Sequence, residues 1–135
     1  MEYLYGRSNG GDFDYFVLAG ASLGFNESKE AYSTKEVPKH ASNNWHLTYE
    51  DHVKLAIDLH HITEIVVVDH MDCGYYKSIY EDAVDTPAKE RAKHVFNLHK
   101  FVSYMKNTPE FSNLSYVTIL ANLEGEKVTF VEVDH

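Results

Sequence analysis

Four β-branched apolar residues in a row, Ile65-Val66-Val67-Val68, sit inside Glu64-Ile65-Val66-Val67-Val68-Asp69. A continuous apolar run of this kind suits a strand covered on both faces, as in a parallel sheet, and places the centre of the fold here. A parallel strand needs a long crossover to reach its neighbour, which commits the flanking chain to helices. The sequence supplies them. Thr48 is read as the cap of a helix over 49–61, with Val53, Ala56, Ile57 and His60 on one face. Thr86-Pro87 pairs a capping hydroxyl with a proline at the first helical position. The helical period then runs through Val95, Leu98, Phe101, Val102 and Met105 and should stop before Pro109.

Around this centre, Tyr15-Phe16-Val17-Leu18-Ala19 reads as a buried strand ending in a tight loop, Gly20-Ala21-Ser22-Leu23-Gly24. Residues 25–45 show no sustained period and read as a long loop with at most one helical turn. Leu114 to Leu123 is a further strand candidate, turned by Glu124-Gly125-Glu126-Lys127 into an alternating, exposed edge strand, Val128 to Val133. The order predicts one α/β domain over residues 1–135, with a mostly parallel sheet flanked by helices and a C-terminal antiparallel hairpin.

Composition excludes several classes of function. The chain has 135 residues, 44% of them hydrophobic and 24% charged, which is ordinary for one globular domain. Twenty-one Asp and Glu against 12 Lys and Arg give a net charge of -9, which repels a phosphate backbone and argues against nucleic-acid binding. No run approaches the roughly 18 apolar residues that a membrane helix needs, and Met1 to Gly6 lacks the pattern of a signal peptide. A soluble, cytoplasmic protein is expected. Cys73 is the single cysteine, so no intrachain disulfide forms, and it is left for metal, redox chemistry or packing. Nine histidines make a metal site worth seeking.

After the central run comes His70-Met71-Asp72-Cys73-Gly74, a loop opening a short helix that extends to about Glu81. Ligands in open α/β sheets bind at such strand ends. His70-x-x-Cys73 offers an imidazole and a thiol to one tetrahedral ion, and zinc takes both at about 2.0–2.3 Å. The same spacing also fits a small buried thiol beside a half-exposed histidine.

The stretch from Thr48 to Gly74 closely resembles the β-class carbonic anhydrases, in which a hydrophobic strand runs into Gly-His-x-x-Cys-Gly or His-His-x-Asp-Cys-Gly. His70, Asp72, Cys73 and Gly74 match, while Asp69 departs from the pattern. Gly11 to Ala21 resembles that family's second strand and the small-residue loop after it, and the final hairpin its C-terminal strand pair. The resemblance implies a homodimer and zinc-dependent reversible hydration of carbon dioxide to bicarbonate, with His70 and Cys73 as metal ligands. It also implies a Cys-x-Asp-x-Arg motif supplying a third ligand and an Asp–Arg pair, and this sequence has none. The zinc site is therefore incomplete, and a catalytically inactive module that holds a structural metal or a protein partner is the alternative. The strand carrying that motif would lie between those at 15–19 and 64–68. Its absence leaves three outcomes: the flanking strands close up, a partner chain donates a strand, or Met1 is an internal start.

Substitute ligands are His46, His52, His60, His61 and Asp69. Asp69 should point away from His70 along an extended strand end and act behind the site or in solvent. His60-His61 suits a helix C-terminus, and His46 an exposed loop. Asp72 is expected to hold the loop through backbone N–H groups and Gly74 to permit its turn. Tyr75, Tyr76 and Tyr80 read as core or interface aromatics. A phosphate loop at Gly20–Gly24 lacks the G-x-G-x-x-G and Lys-Ser/Thr signals.

Overall fold

The structure is a computed structural model that describes residues 13–40 and 42–135. Its elements are α1 (Ser22–Thr34), α2 (Trp45–His60), β1 (Glu64–His70), α3 (Gly74–Tyr80), α4 (Pro87–Lys106), β2 (Ser115–Glu124) and β3 (Lys127–Val133), with short 3-10 turns at Glu81–Val84 and Pro109–Phe111. The class is α/β. The sheet has the order β1-β2-β3: β1 pairs β2 in parallel from Glu64↔Ser115 to His70↔Ala121, and β2 pairs β3 antiparallel from Thr118↔Val133 to Glu124↔Lys127. It is mixed, with one parallel and one antiparallel pairing.

Each well-formed element has a local cause. The Thr86 hydroxyl accepts the Lys89 N–H at 3.2 Å, and Pro87 opens α4 with no N–H to satisfy. Gly125, at φ 63°, supplies the left-handed backbone that a two-residue hairpin loop requires. Ile65 and Val67 of β1 and Tyr116 and Leu120 of β2 meet Leu98, Phe101, Val102 and Met105 of α4 in the main core, joined by Phe25 of α1 and Val53 of α2. The parallel pairing thus works as expected, with helix α4 on the crossover covering the sheet.

Four expectations are corrected. Tyr15 to Ala19 forms no strand: Tyr15 is 60% exposed and Val17 86%, because β1 pairs only β2 among the described residues and offers this segment no ladder. Residues 22–34, read as loop, form α1. Its buried positions include Ser22, Asn26 and Ser28, so the apolar period that signals a helix is interrupted by polar residues that the core satisfies. β1 buries Ile65, Val67 and Asp69 on one face and leaves Val66 and Val68 half-buried on the other, so it is not covered on both faces by the described residues. The expected helix over 49–61 begins earlier, at Trp45, with Asn44 rather than Thr48 preceding it. β3 is exposed at every position but Val133, as the alternation indicated.

Candidate functional site

β1 delivers two adjacent residues to opposite faces at its carboxyl end. His70 is exposed, while Asp69 is buried at 1% exposure. The side-chain alternation of an extended strand accounts for the division, as the sequence indicated. Behind the loop, Asp69 is the hub of a buried polar network. Its carboxylate accepts the Ser22 N–H at 3.2 Å, the Ser22 hydroxyl at 2.8 Å, the Tyr76 hydroxyl at 2.7 Å and His94 Nδ1–H at 2.8 Å. His94 is fully buried, and its Nε2 lies 2.9 Å from Glu90 Oε2. That same oxygen accepts the Cys73 backbone N–H at 3.3 Å.

A carboxyl oxygen lies at each ring nitrogen of His94, so the ring is held between Asp69 and Glu90 from both sides. Ser22, Tyr76 and the Cys73 N–H supply the remaining dipoles around the two carboxyl groups. The Tyr76 ring stacks on His94 with centroids 3.8 Å apart. Burial, and then the neighbouring Asp69 charge, push the Tyr76 phenol far above its ordinary range, so it serves only as a donor.

On the outer side of the loop, His70 Nδ1 lies 2.9 Å from the Met71 carbonyl. A ring nitrogen beside a carbonyl donates, and in the neutral ring Nε2 then keeps its lone pair, the arrangement usual in zinc-binding histidines. Cys73, three residues on, is a free thiol at 3% exposure. Both donors suit zinc, and two is one fewer than a catalytic site uses. Among the described residues no three His, Cys, Asp or Glu side chains gather to hold a metal ion.

The substitute ligands are engaged elsewhere. His46 is buried, with Nδ1 2.9 Å from the Ser28 hydroxyl. His52 faces Phe16, ring centroids 5.0 Å apart, and His60 Nδ1 meets Asp14 at 2.8 Å. His61 closes α2 at φ 55°, its N–H on the Ala56 and Ile57 carbonyls, which fits the capping expectation. Asp72, instead of holding backbone N–H groups, ion-pairs with Lys77 on the exposed surface, and that hydrogen bond holds its carboxyl below the ordinary value. Gly74 needs no special freedom, since a Cβ there would touch nothing within 4 Å. Gly24 does: a Cβ would lie 2.3 Å from the Ala19 carbonyl oxygen, so the segment read as a tight loop leads into the closely packed start of α1. Tyr76 and Tyr80 are core aromatics as read, Tyr80 accepting from Asn97 at 2.9 Å. The Tyr75 hydroxyl is buried, with no hydrogen-bond partner among the described residues.

Ser22, Glu90 and His94 were not read as site residues. A signal existed: Glu90 and His94 lie i, i+4 on the stripe that continues to Leu98 and Phe101, where two polar residues in line with core positions imply a satisfied buried pair.

Two relatives are uncharacterized Rickettsia proteins. That of Rickettsia bellii is 34% identical over 115 residues, covering 84% of this chain and 62% of its own length. That of Rickettsia conorii is 33% identical over 115 residues, covering 84% of this chain and 54% of its own. The chain thus spans between half and two thirds of the relatives it matches. No protein-family model and no solved structure matches it. Among the described residues, no helix is long and apolar enough to cross a membrane.

Proposed function

We propose that this chain is a β-carbonic-anhydrase-like unit in which His70 and Cys73 hold zinc for the reversible hydration of carbon dioxide. The observation that carries the reading is the His70 Nδ1 contact with the Met71 carbonyl, 2.9 Å, which in the neutral ring leaves Nε2 to coordinate. Cys73 on the same loop is the second donor. Zinc held there by His70 and Cys73 would supply the Lewis acidity that activates water toward carbon dioxide near neutral pH. The protein's own part is to fix the loop: Asp69 and Glu90, tied together by His94, hold its two ends from behind. Homodimerisation belongs to the same proposal.

The missing Asp–Arg pair favours a slow enzyme or none, so the second reading is a carbonic-anhydrase-like module with a structural metal or a protein partner. The exposed Leu123 and Val128, paired across the β2–β3 hairpin, support a partner surface. A carbon dioxide hydration assay separates the two. Activity above the uncatalysed rate, lost in Cys73→Ser, is expected for the enzyme; equal rates in both proteins, with zinc bound, leave the module.

A further inference from the structure

We propose that Ser28 and His46 form a pH-sensitive latch between α1 and α2, closed while the His46 ring is neutral and opened by its protonation. The start of α2 creates the need for it. Of the first four N–H groups of that helix, Trp45 reaches the Ser42 carbonyl at 3.4 Å, and Leu47 and Thr48 reach the Asn44 carbonyl at 3.1 and 3.2 Å. The remaining one, His46, donates to Ser28 Oγ of α1 at 3.0 Å. Asn44 stands where a capping side chain belongs, but its oxygen accepts the Ser42 hydroxyl at 2.6 Å and makes no cap. The neighbouring helix thus supplies the cap of α2.

The contact is reciprocal, because Ser28 Oγ also lies 2.9 Å from His46 Nδ1, and both residues are buried. With the hydroxyl accepting the His46 N–H, Nδ1 is the acceptor among the described residues for the hydroxyl's own hydrogen, and a ring nitrogen that accepts carries no proton. A protonated ring only donates. Nδ1–H then competes with the His46 amide for one hydroxyl oxygen, and the Ser28 hydrogen loses its acceptor in a site closed to water. The positive ring also stands in the first turn of α2, at the positive end of the helix dipole. Around it, α1 presents Lys29 and the rings of Phe25 and Tyr32, at 6.1 and 5.2 Å, and α2 presents Glu50. From α4, Tyr104 donates to Glu50 at 2.7 Å and carries Lys29 over its ring at 4.5 Å. Burial is the largest influence and opposes the charge; Glu50 favours it and Lys29 opposes it, so His46 is held below its ordinary value. Opening frees the second half of α1 and the first turn of α2, while Ser22 on Asp69 and Asn26 on Asn97 keep the other end of α1 in place.

The test follows the full chain by NMR between about pH 7.5 and 5, the range in which histidine changes charge. Ring nitrogen shifts report the state of Nδ1, and amide exchange is corrected for its intrinsic pH dependence. At the upper end Nδ1 should be unprotonated and the His46 amide protected. As the pH falls below the ordinary histidine value, that protection should drop by up to about tenfold per pH unit, while the Leu98 and Val102 amides of α4 keep theirs. His46→Asn, which puts a neutral oxygen near the place of Nδ1, should hold the protection at residue 46 across the range. Ser28→Ala should lose it at every pH. Constant protection of the wild-type His46 amide over this range overturns the latch, whether or not the ring titrates, and so does a proton on Nδ1 at neutral pH. A loss shared equally by the α4 amides reports global unfolding and overturns it as well. All three are read on the wild type and stand even if neither variant folds.

Discussion

Replacing Asp69 with alanine removes the acceptor for four hydrogen bonds at once, from Ser22 N, Ser22 Oγ, Tyr76 Oη and His94 Nδ1, in a site 1% exposed. Hydrogen bonds to a charged group are worth about 1.5–3 kcal/mol each, but they share one carboxylate and do not add. The better guide is the cost of leaving buried polar groups without their partner, about 1–3 kcal/mol each. Asp69→Ala leaves His94 Nδ1, two hydroxyl donors and one amide without their acceptor, so, with partial relaxation, a destabilisation of about 3–5 kcal/mol is expected. Against a domain stability of about 5–15 kcal/mol this is a large fraction. In urea, with a slope of about 2 kcal/mol/M, the unfolding midpoint should drop by about 2 M with the slope unchanged. A cycle with His94→Gln should show a favourable wild-type coupling of at least about 1 kcal/mol between the two residues. A midpoint within about 0.5 M of wild type, or additive single variants, would refute the argument that Asp69 is a buried hub.

Other expectations concern pH, packing and capping. Burial lowers the His46 pKa below its ordinary value of 6.5, so the unfolded chain takes a proton first as pH falls. Stability is therefore complete above about pH 6.5 and declines as the pH drops from there through the folded-state pKa; urea midpoints across this window should fall, and less steeply in His46→Gln. Gly24→Ala forces a Cβ to within 2.3 Å of the Ala19 carbonyl oxygen and should cost about 1–3 kcal/mol by urea unfolding, a loss that an ordinary helical glycine would not show. Thr86→Ala removes the cap of α4 and should cost about 1 kcal/mol, while Thr86→Ser stays close to wild type.

The fold was legible where a local signal coincided with a tertiary one. The β-branched run at 65–68, the Thr86-Pro87 cap and the Gly125 turn each act within a few residues, and each forms the element they indicated. The segment at 15–19 has the same apolar, strand-forming composition, but a strand exists only if a neighbour pairs with it, and none does among the described residues. α1 was hidden for the opposite reason. Ser22 and Ser28 are buried because Asp69 and His46 accept or share their hydrogen bonds, and those partners lie 47 and 18 residues away. The site divides in the same way: His70 and Cys73 show in a contiguous motif, whereas Glu90 and His94 become visible as its support only when α4 is folded against β1.

Zinc content of the full chain, purified without added metal or chelator and measured per mole of protein, tests the central claim most directly. About one zinc per chain, lost in Cys73→Ser and in His70→Ala while both remain folded, is expected if these residues form the metal site. Folded wild-type protein with zinc far below that level would contradict it.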